Sequence, residues 1–131
     1  MTMNIPESHR DLLSNEKTAF AYLATNMPEG SPQLTALWFN TDGEHILFNT
    51  GEKRVKTRNI ERDPRVAVAI YDPESPYRYI QLRGRIETTT EGATEQVHEI
   101  SRKYTGKDFQ LREGDPRVIY KMTPEHVFVW G

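Results

Sequence analysis

Apolar and polar residues alternate with a period of two over Tyr79 to Glu87 (YIQLRGRIE). Ile80, Leu82, Gly84 and Ile86 fall on one side, and Gln81, Arg83, Arg85 and Glu87 on the other. A strand with one dry and one wet face has this pattern. Weaker strand patterns cover Thr18 to Thr25, Gln33 to Asn40, Glu44 to Thr50, Arg117 to Met122 and His126 to Trp130. Arg65 to Asp72 (RVAVAIYD) is apolar on both sides, as a strand buried on both faces would be. The prolines and glycine of Met27 to Pro32 separate the first two strands, and Asp42-Gly43 supplies the left-handed pair of a tight hairpin. The first three strands therefore read as a meander.

Three segments carry helical signals. Ile5 to Leu13 has Pro6 in its first turn and Glu7 near its positive end, with Leu12 and Leu13 directed inward. Gly51 to Arg62 reads as a helix closed by Asp63-Pro64, because the residue before a proline is pushed out of the helical region. In Glu91 to Tyr104 the residues Ala93, Val97, Ile100 and Tyr104 recur at helical spacing, and Gly106 stops the helix. Seven short strands with two or three helices and no strand–helix–strand alternation predict a mainly β barrel or sandwich. At 131 residues, one domain over residues 1–131 is expected.

Hydrophobic content is 36% and mean hydropathy −0.73, low for a domain of this size, while 10% aromatics argue against disorder. Together these predict apolar surface completed by a partner subunit. The absence of cysteine excludes disulfides, thiolate nucleophiles and Cys-ligated metal sites. The longest apolar stretch, Val66 to Tyr71, is too short to cross a bilayer, and Met1 to Pro6 shows no basic or apolar leader region. A cytoplasmic protein without a membrane partner is expected.

Charge changes the picture most. Seventeen Lys and Arg against nineteen Asp and Glu give −2. Lys53, Arg54, Lys56 and Arg58 lie together with no acid among them, which leaves thirteen cations against nineteen acids elsewhere. The acidic remainder argues against a nucleic-acid surface. If Thr50 or Gly51 marks a strand-to-helix junction, first-turn amides and these side chains converge where a phosphate would fit. The alternative is a solvated helix face pairing with Glu52 and Glu61. His9, His45, His98 and His126 lack ligand spacing, so no metal is expected. No serine elbow and no dinucleotide-type glycine loop is present. Trp38, Phe39, Tyr77 and Tyr79 could wall a planar-ring pocket or serve as packing.

The segment Phe48 to Val68, FNTGEKRVKTRNIERDPRVAV, resembles the signature of the pyridoxamine 5′-phosphate oxidase-like split-barrel superfamily, in particular its branch using the deazaflavin coenzyme F-420. The resemblance continues through Ala24-Thr25, Gly30-Ser31-Pro32-Gln33, Leu37-Trp38-Phe39, Asp42-Gly43, Arg58-Asn59, Arg62 to Val66 and the Tyr79 to Glu87 strand. It implies a homodimer of six- or seven-stranded split β-barrels with two cofactor sites between subunits. It maps the cofactor phosphate onto Thr50, Arg54 and Lys56, with Asn49 and Val55 beside them. It places the ring system along Gln33, Leu34, Thr35 and Ala36, with Trp38 and Tyr79 approaching from the partner. Two departures argue against vitamin B6 oxidation. Ser-Arg-Lys in the flavin oxidases is Arg54-Val55-Lys56 here, and no Arg/His pair occurs near Val127 to Gly131.

The resulting expectation is an oxidoreductase in which reduced F-420 gives a hydride to an activated double bond of a planar small-molecule substrate. No catalytic side chain is named, since the proton can come from water or a nearby tyrosine. Lys53, Arg58 or Arg78 are the candidates for the coenzyme's anionic tail. The alternatives are an FMN-dependent enzyme of the same fold, a non-catalytic cofactor carrier and a small-barrel nucleic-acid binder.

Overall fold

The computed structural model describes residues 4–131. The leader reading of Met1 to Pro6 rests partly on positions 1–3, which lie outside the described residues. A 3-10 helix (Glu7–Leu13) leads into β1 (Ala21–Asn26), β2 (Pro32–Leu37), β3 (Asn40–Thr41) and β4 (Ile46–Gly51). Then follow α1 (Val55–Arg62), β5 (Arg65–Asp72), β6 (Ser75–Thr89), α2 (Ala93–Thr105) and β7 (Arg117–Trp130). The seven strands form one antiparallel sheet in the order β2-β1-β5-β6-β7-β4-β3.

That order splits the expected meander: β1–β2 and β3–β4 pair as expected but lie at opposite ends of the sheet. β2 pairs with β1, but β4 pairs with β7, and the Gln33–Asn40 strand breaks at Trp38-Phe39 into β2 and β3. The two edge strands are joined by only those two residues, so the sheet curls into a half-barrel until its ends meet there. Phe39 is fully buried at the seam. The concave face carries Leu23, Phe48, Val68, Ile70, Leu82 and Tyr120, all at or near zero exposure.

Asp42-Gly43 lies in the expected hairpin, but residues 42–45 form its loop and only Gly43, not Asp42, takes a left-handed conformation. The Asp42 carboxylate accepts from the amides of Glu44 and His45 at 2.9 and 2.7 Å, and Gly43 takes a φ of 93°. In β6 the predicted dry positions are buried and the wet ones exposed. β5 departs from expectation. Val66, Val68 and Ile70 are buried, whereas Ala67 and Ala69 are half-buried and Tyr71 is exposed, so the second face lacks a cover within this chain.

The two predicted C-terminal strands are one. Arg83 pairs with His126 but Gly84 with Pro124, so Glu125 is the extra residue of a bulge that lets the strand run through a proline. A Cβ on Gly84 would lie 2.0 Å from the Thr123 carbonyl oxygen, which only glycine avoids. The basic segment is helical from Val55 rather than Gly51, because Gly51 still pairs with Arg117 and the Glu52 amide donates to the Pro116 carbonyl at 2.8 Å. The first helix is a 3-10 turn with Leu12 and Leu13 inward, and its buried His9 contacts the Trp130 carbonyl through Nε2 at 2.8 Å. Among the described residues, no helix is long and apolar enough to cross a membrane.

Candidate functional site

α1 is fixed from both ends. Thr57, buried under the helix, donates to the Gly51 carbonyl at 3.1 Å and meets the Tyr120 hydroxyl at 2.5 Å. Buried Asn59 donates to the Thr25 hydroxyl at 3.1 Å, and Thr25 in turn donates to the Gln33 side-chain carbonyl at 3.2 Å. Arg62 donates to the Asn26 carbonyl at 2.6 Å. These bonds tie α1 to β4, β7 and the β1–β2 hairpin, so the side chains of its first turn hold fixed positions. Arg54 occupies the N-cap and has no side-chain capping bond; the Thr57 amide donates to the Arg54 carbonyl at 3.1 Å, and the Val55 and Lys56 amides have no side-chain cap.

The cations on this turn lack carboxylate partners. Among the described residues, Lys53, Arg54, Lys56 and Arg58 form no ion pair, and neither Glu52 nor Glu61 neutralises them. Lys56 is only 8% exposed and has no hydrogen bond among the described residues. Burial, with nearby Arg54 and Arg117, pushes its pKa below the ordinary lysine value. Such a charge is costly to bury without an anion. Lys56 is thus not a fully solvated side chain, although its Nζ is not sealed from solvent and stays within reach of an incoming anion.

A cleft of about 330 Å³ approaches this junction through Asn49 and Arg117, the latter paired with Gly51; none of Lys53, Arg54, Lys56 or Arg58 lines it. Ala36, Leu37, Trp38 and Phe20 form one side, Val97 and Ile100 of α2 another, and Asn49, Phe109 and Arg117 the third. Trp38 is stacked on Tyr104, ring centroids 5.1 Å apart and planes within 5°, and Phe20 lies 5.6 Å from the same ring. Tyr104 is pinned by donating to the Ala19 carbonyl. Asn49 donates to the Ala93 carbonyl and to Gln96, both at 2.8 Å, and accepts from Arg117 Nε at 2.8 Å. The result is an apolar, aromatic slot with its polar groups at one side.

A family model described as pyridoxamine 5′-phosphate oxidase matches residues 5–131. The chain belongs to the pyridoxamine 5′-phosphate oxidase family. A solved F420 reductase shares 34% identity with this family member, over 95% of this chain and 98% of that one, with a TM-score of 0.83. A conserved hypothetical protein of Mycobacterium tuberculosis shares 23% identity over 99% and 89% of the two chains, at a TM-score of 0.76. HupZ of Group A Streptococcus shares 23% over 95% and 93%, at 0.70. The last two show the split-barrel fold.

On this family scaffold the sequence-predicted residues divide. Ala36, Trp38 and Asn49 line the cleft, and Thr50, Arg54, Val55 and Lys56 cluster at the β4–α1 junction. Trp38 reaches the cleft of its own chain. Gln33 is held through Thr25 to α1, while Thr35 is half-buried on the same side of β2. Leu34 points the other way, into a shallow apolar depression of about 620 Å³ with Phe20, Tyr22, Ala69 and Tyr71. Tyr79 lies on the outer face, 5.1 Å from the Tyr71 ring and paired with Trp130, away from the cleft.

Arg78 is not available for an anionic tail, because it pairs with Asp72 and Asp11. Tyr104 and Tyr120 are poor proton donors. Burial pushes both up to about 12, and Tyr104 already donates to Ala19 while Tyr120 meets Thr57. The residues that the sequence reading missed are Phe20, Phe109, Asp115 and Arg117. Asp-Pro-Arg at 115–117 carries no local signal. It reaches the site because β7 pairs Arg117 with Gly51.

Proposed function

We propose that this chain is a homodimeric oxidoreductase that uses reduced coenzyme F-420 to reduce a planar organic substrate. The observation that carries the reading is Lys56, nine-tenths buried with no anionic partner and near Arg117, which lines an aromatic cleft. A phosphate would supply that partner, and the 34% identity to an F420 reductase supports a deazaflavin as its bearer.

The residues present fit the group. Thr50, Arg54 and Lys56 would hold the phosphate, with a planar two-pronged donor and a point charge both matched to its oxygens. Ala36 lacks a side chain that would obstruct a ring, and Trp38, fixed by Tyr104, offers a flat wall. Bound F-420 would supply the hydride for an activated carbon–carbon or carbon–nitrogen double bond. The chain orients one ring face, and Phe20, Val97 and Ile100 keep water from the apolar slot. Asn49 has no N–H left to donate, both being engaged, and its carbonyl already accepts from Arg117. With Tyr104 and Tyr120 both occupied, neither supplies the proton that completes the reduction.

A second copy would cover the outer face of the sheet, where Leu34 is 68% and Trp130 58% exposed and Tyr22, Tyr71 and Phe128 are also uncovered. Tyr79 would enter the composite site from that copy. The phosphate cradle does not itself distinguish ring systems, so FMN is the second reading.

Parallel titrations of the purified protein with F-420 and FMN test this, together with the mass in solution. Tight F-420 binding, weaker FMN binding and a dimer are expected. Tight FMN binding with F-420 excluded transfers the proposal to flavin, and binding with no turnover of quinones, coumarins or tetrapyrroles favours a carrier. Binding of neither contradicts it.

A further inference from the structure

The cations at the β4–α1 junction are joined by one from a distant part of the chain. Gly51 has no side chain where a Cβ would meet Asp115 Oδ1 at 2.5 Å and Arg54 Nε at 3.3 Å, so both groups sit over its Cα. Asp115 Oδ2 accepts from Arg117 Nη1 at 3.0 Å, and Arg117 Nε donates to Asn49 at 2.8 Å. The Phe109 ring lies 4.8 Å from the guanidinium carbon. The Arg117 side chain is 10% exposed, yet its Nη2 has no partner among the described residues and is not sealed from solvent. Arg117 lines the cleft, so a rigidly held guanidinium keeps two N–H groups in reserve there.

We propose that Arg117 is a third ligand-binding cation of the anion site, its Nη2 donating to an oxygen of the phosphate that Lys56 and Arg54 also hold. The inference rests on the phosphate reading of Lys56 and extends it. Asn49 and Asp115 act as positioning residues that fix the plane of the guanidinium. Arg54, Lys56 and Arg117 against Asp115 alone leave two positive charges, which match a doubly charged anion. FMN would meet this with its terminal phosphate, and F-420 with its phosphodiester and the first carboxylate of its tail.

The test compares wild type, Arg117→Gln and the doubly neutralised Asp115→Asn/Arg117→Gln. The double variant leaves no unpaired carboxylate and stands in for the single one should that fail to fold. Inorganic phosphate is expected to raise the Tm of wild type and to do so far less in either variant. FMN and F-420 affinities are expected to fall about tenfold or more, as for loss of a charge-assisted bond, while riboflavin, which lacks phosphate, changes less than twofold.

Equal losses for FMN and riboflavin overturn the proposal, because Arg117 would then be a wall of the cleft. A phosphate-induced Tm rise that persists unchanged in both variants overturns it too, as does wild type that shows no phosphate effect. If neither F-420 nor FMN binds but phosphate still protects through Arg117, the oxidoreductase reading falls and the anion site stands.

Discussion

Two basic spots in this molecule are both candidates for an anion in the sequence and differ in structure. Arg78 stands between Tyr77 and Tyr79, and Lys56 within a run of cations. Arg78 is saturated: it donates to Asp72 at 2.8 Å, to Asp11 at 2.5 Å and to the Ser8 carbonyl at 2.6 Å, and Lys17 supports Asp11 at 3.1 Å. Lys56 is more deeply buried and has none of this. Carboxylates placed around a cation make it a clasp, here between the 3-10 helix and the β5–β6 turn. Withholding them makes it a receptor for an anion from outside. The difference separates structural charge from functional charge without reference to any relative.

The largest expected effect is on the receptor side. Lys56→Glu puts a carboxylate where the phosphate is proposed to bind, and F-420 affinity should fall by at least about 100-fold, measured by fluorescence titration. Stability should hold, because the substitution removes an unpaired buried cation. A variant that binds normally would erase the contrast.

The clasp should behave in the opposite way. Arg78→Met is expected to lower stability by about 1 kcal/mol in urea unfolding, the half-exposed Asp11 keeping the effect modest, with F-420 affinity within twofold of wild type. Arg78 holds the Asp11 carboxyl well below the usual range, and Asp72 is lowered as well. A carboxyl depressed in the folded state adds stability above its unfolded pKa and loses it as pH falls through about 4 toward the folded value. That acid-side loss should be shallower in Arg78→Met.

How far the sequence carried the reading depends on whether each feature is local. The Asp42-Gly43 hairpin, the alternation of β6 and the glycine stop at Gly106 are decided within a few residues and were legible. The cation run itself was legible, and so was its likeness to the split-barrel superfamily. Whether it pairs with Glu52 and Glu61 was not, because side-chain direction in the short helix α1 depends on Thr57 and Asn59 being buried beneath it. The Gly84–Pro124 bulge, the Trp38–Tyr104 stack and the arrival of Arg117 beside Gly51 all join segments far apart in the chain. The meander reading caught the β1–β2 and β3–β4 pairings but not the break at Trp38-Phe39 nor the pairing of β4 with β7, which closure of the sheet decides.

A subtler comparison sets Lys56 against Lys103. Lys56 is buried and Lys103 half-buried, but Lys103 donates to the Phe39 carbonyl at 2.9 Å and sits 4.0 Å from the centre of the Phe39 ring. Burial pushes its pKa down to about 8. The unfolded chain then keeps a proton that the folded chain releases, so stability should rise with pH from about 8 to about 10.4. Lys103→Met should flatten that rise in unfolding curves without touching cofactor affinity.

For Lys56 the linkage appears in binding. An anion raises its lowered pKa, so affinity should be constant below the free-protein value and fall as pH climbs past it, at a pH below the ordinary lysine value. Titrations at stepped alkaline pH would show this smallest effect.

The most direct measurement is F-420 affinity by calorimetry for wild type, Lys56→Ala and Arg78→Met side by side. The expected result is a loss of about tenfold or more for Lys56→Ala and less than twofold for Arg78→Met. Equal losses in the two variants, or none in either, would contradict the distinction between a cation that clasps and a cation that receives.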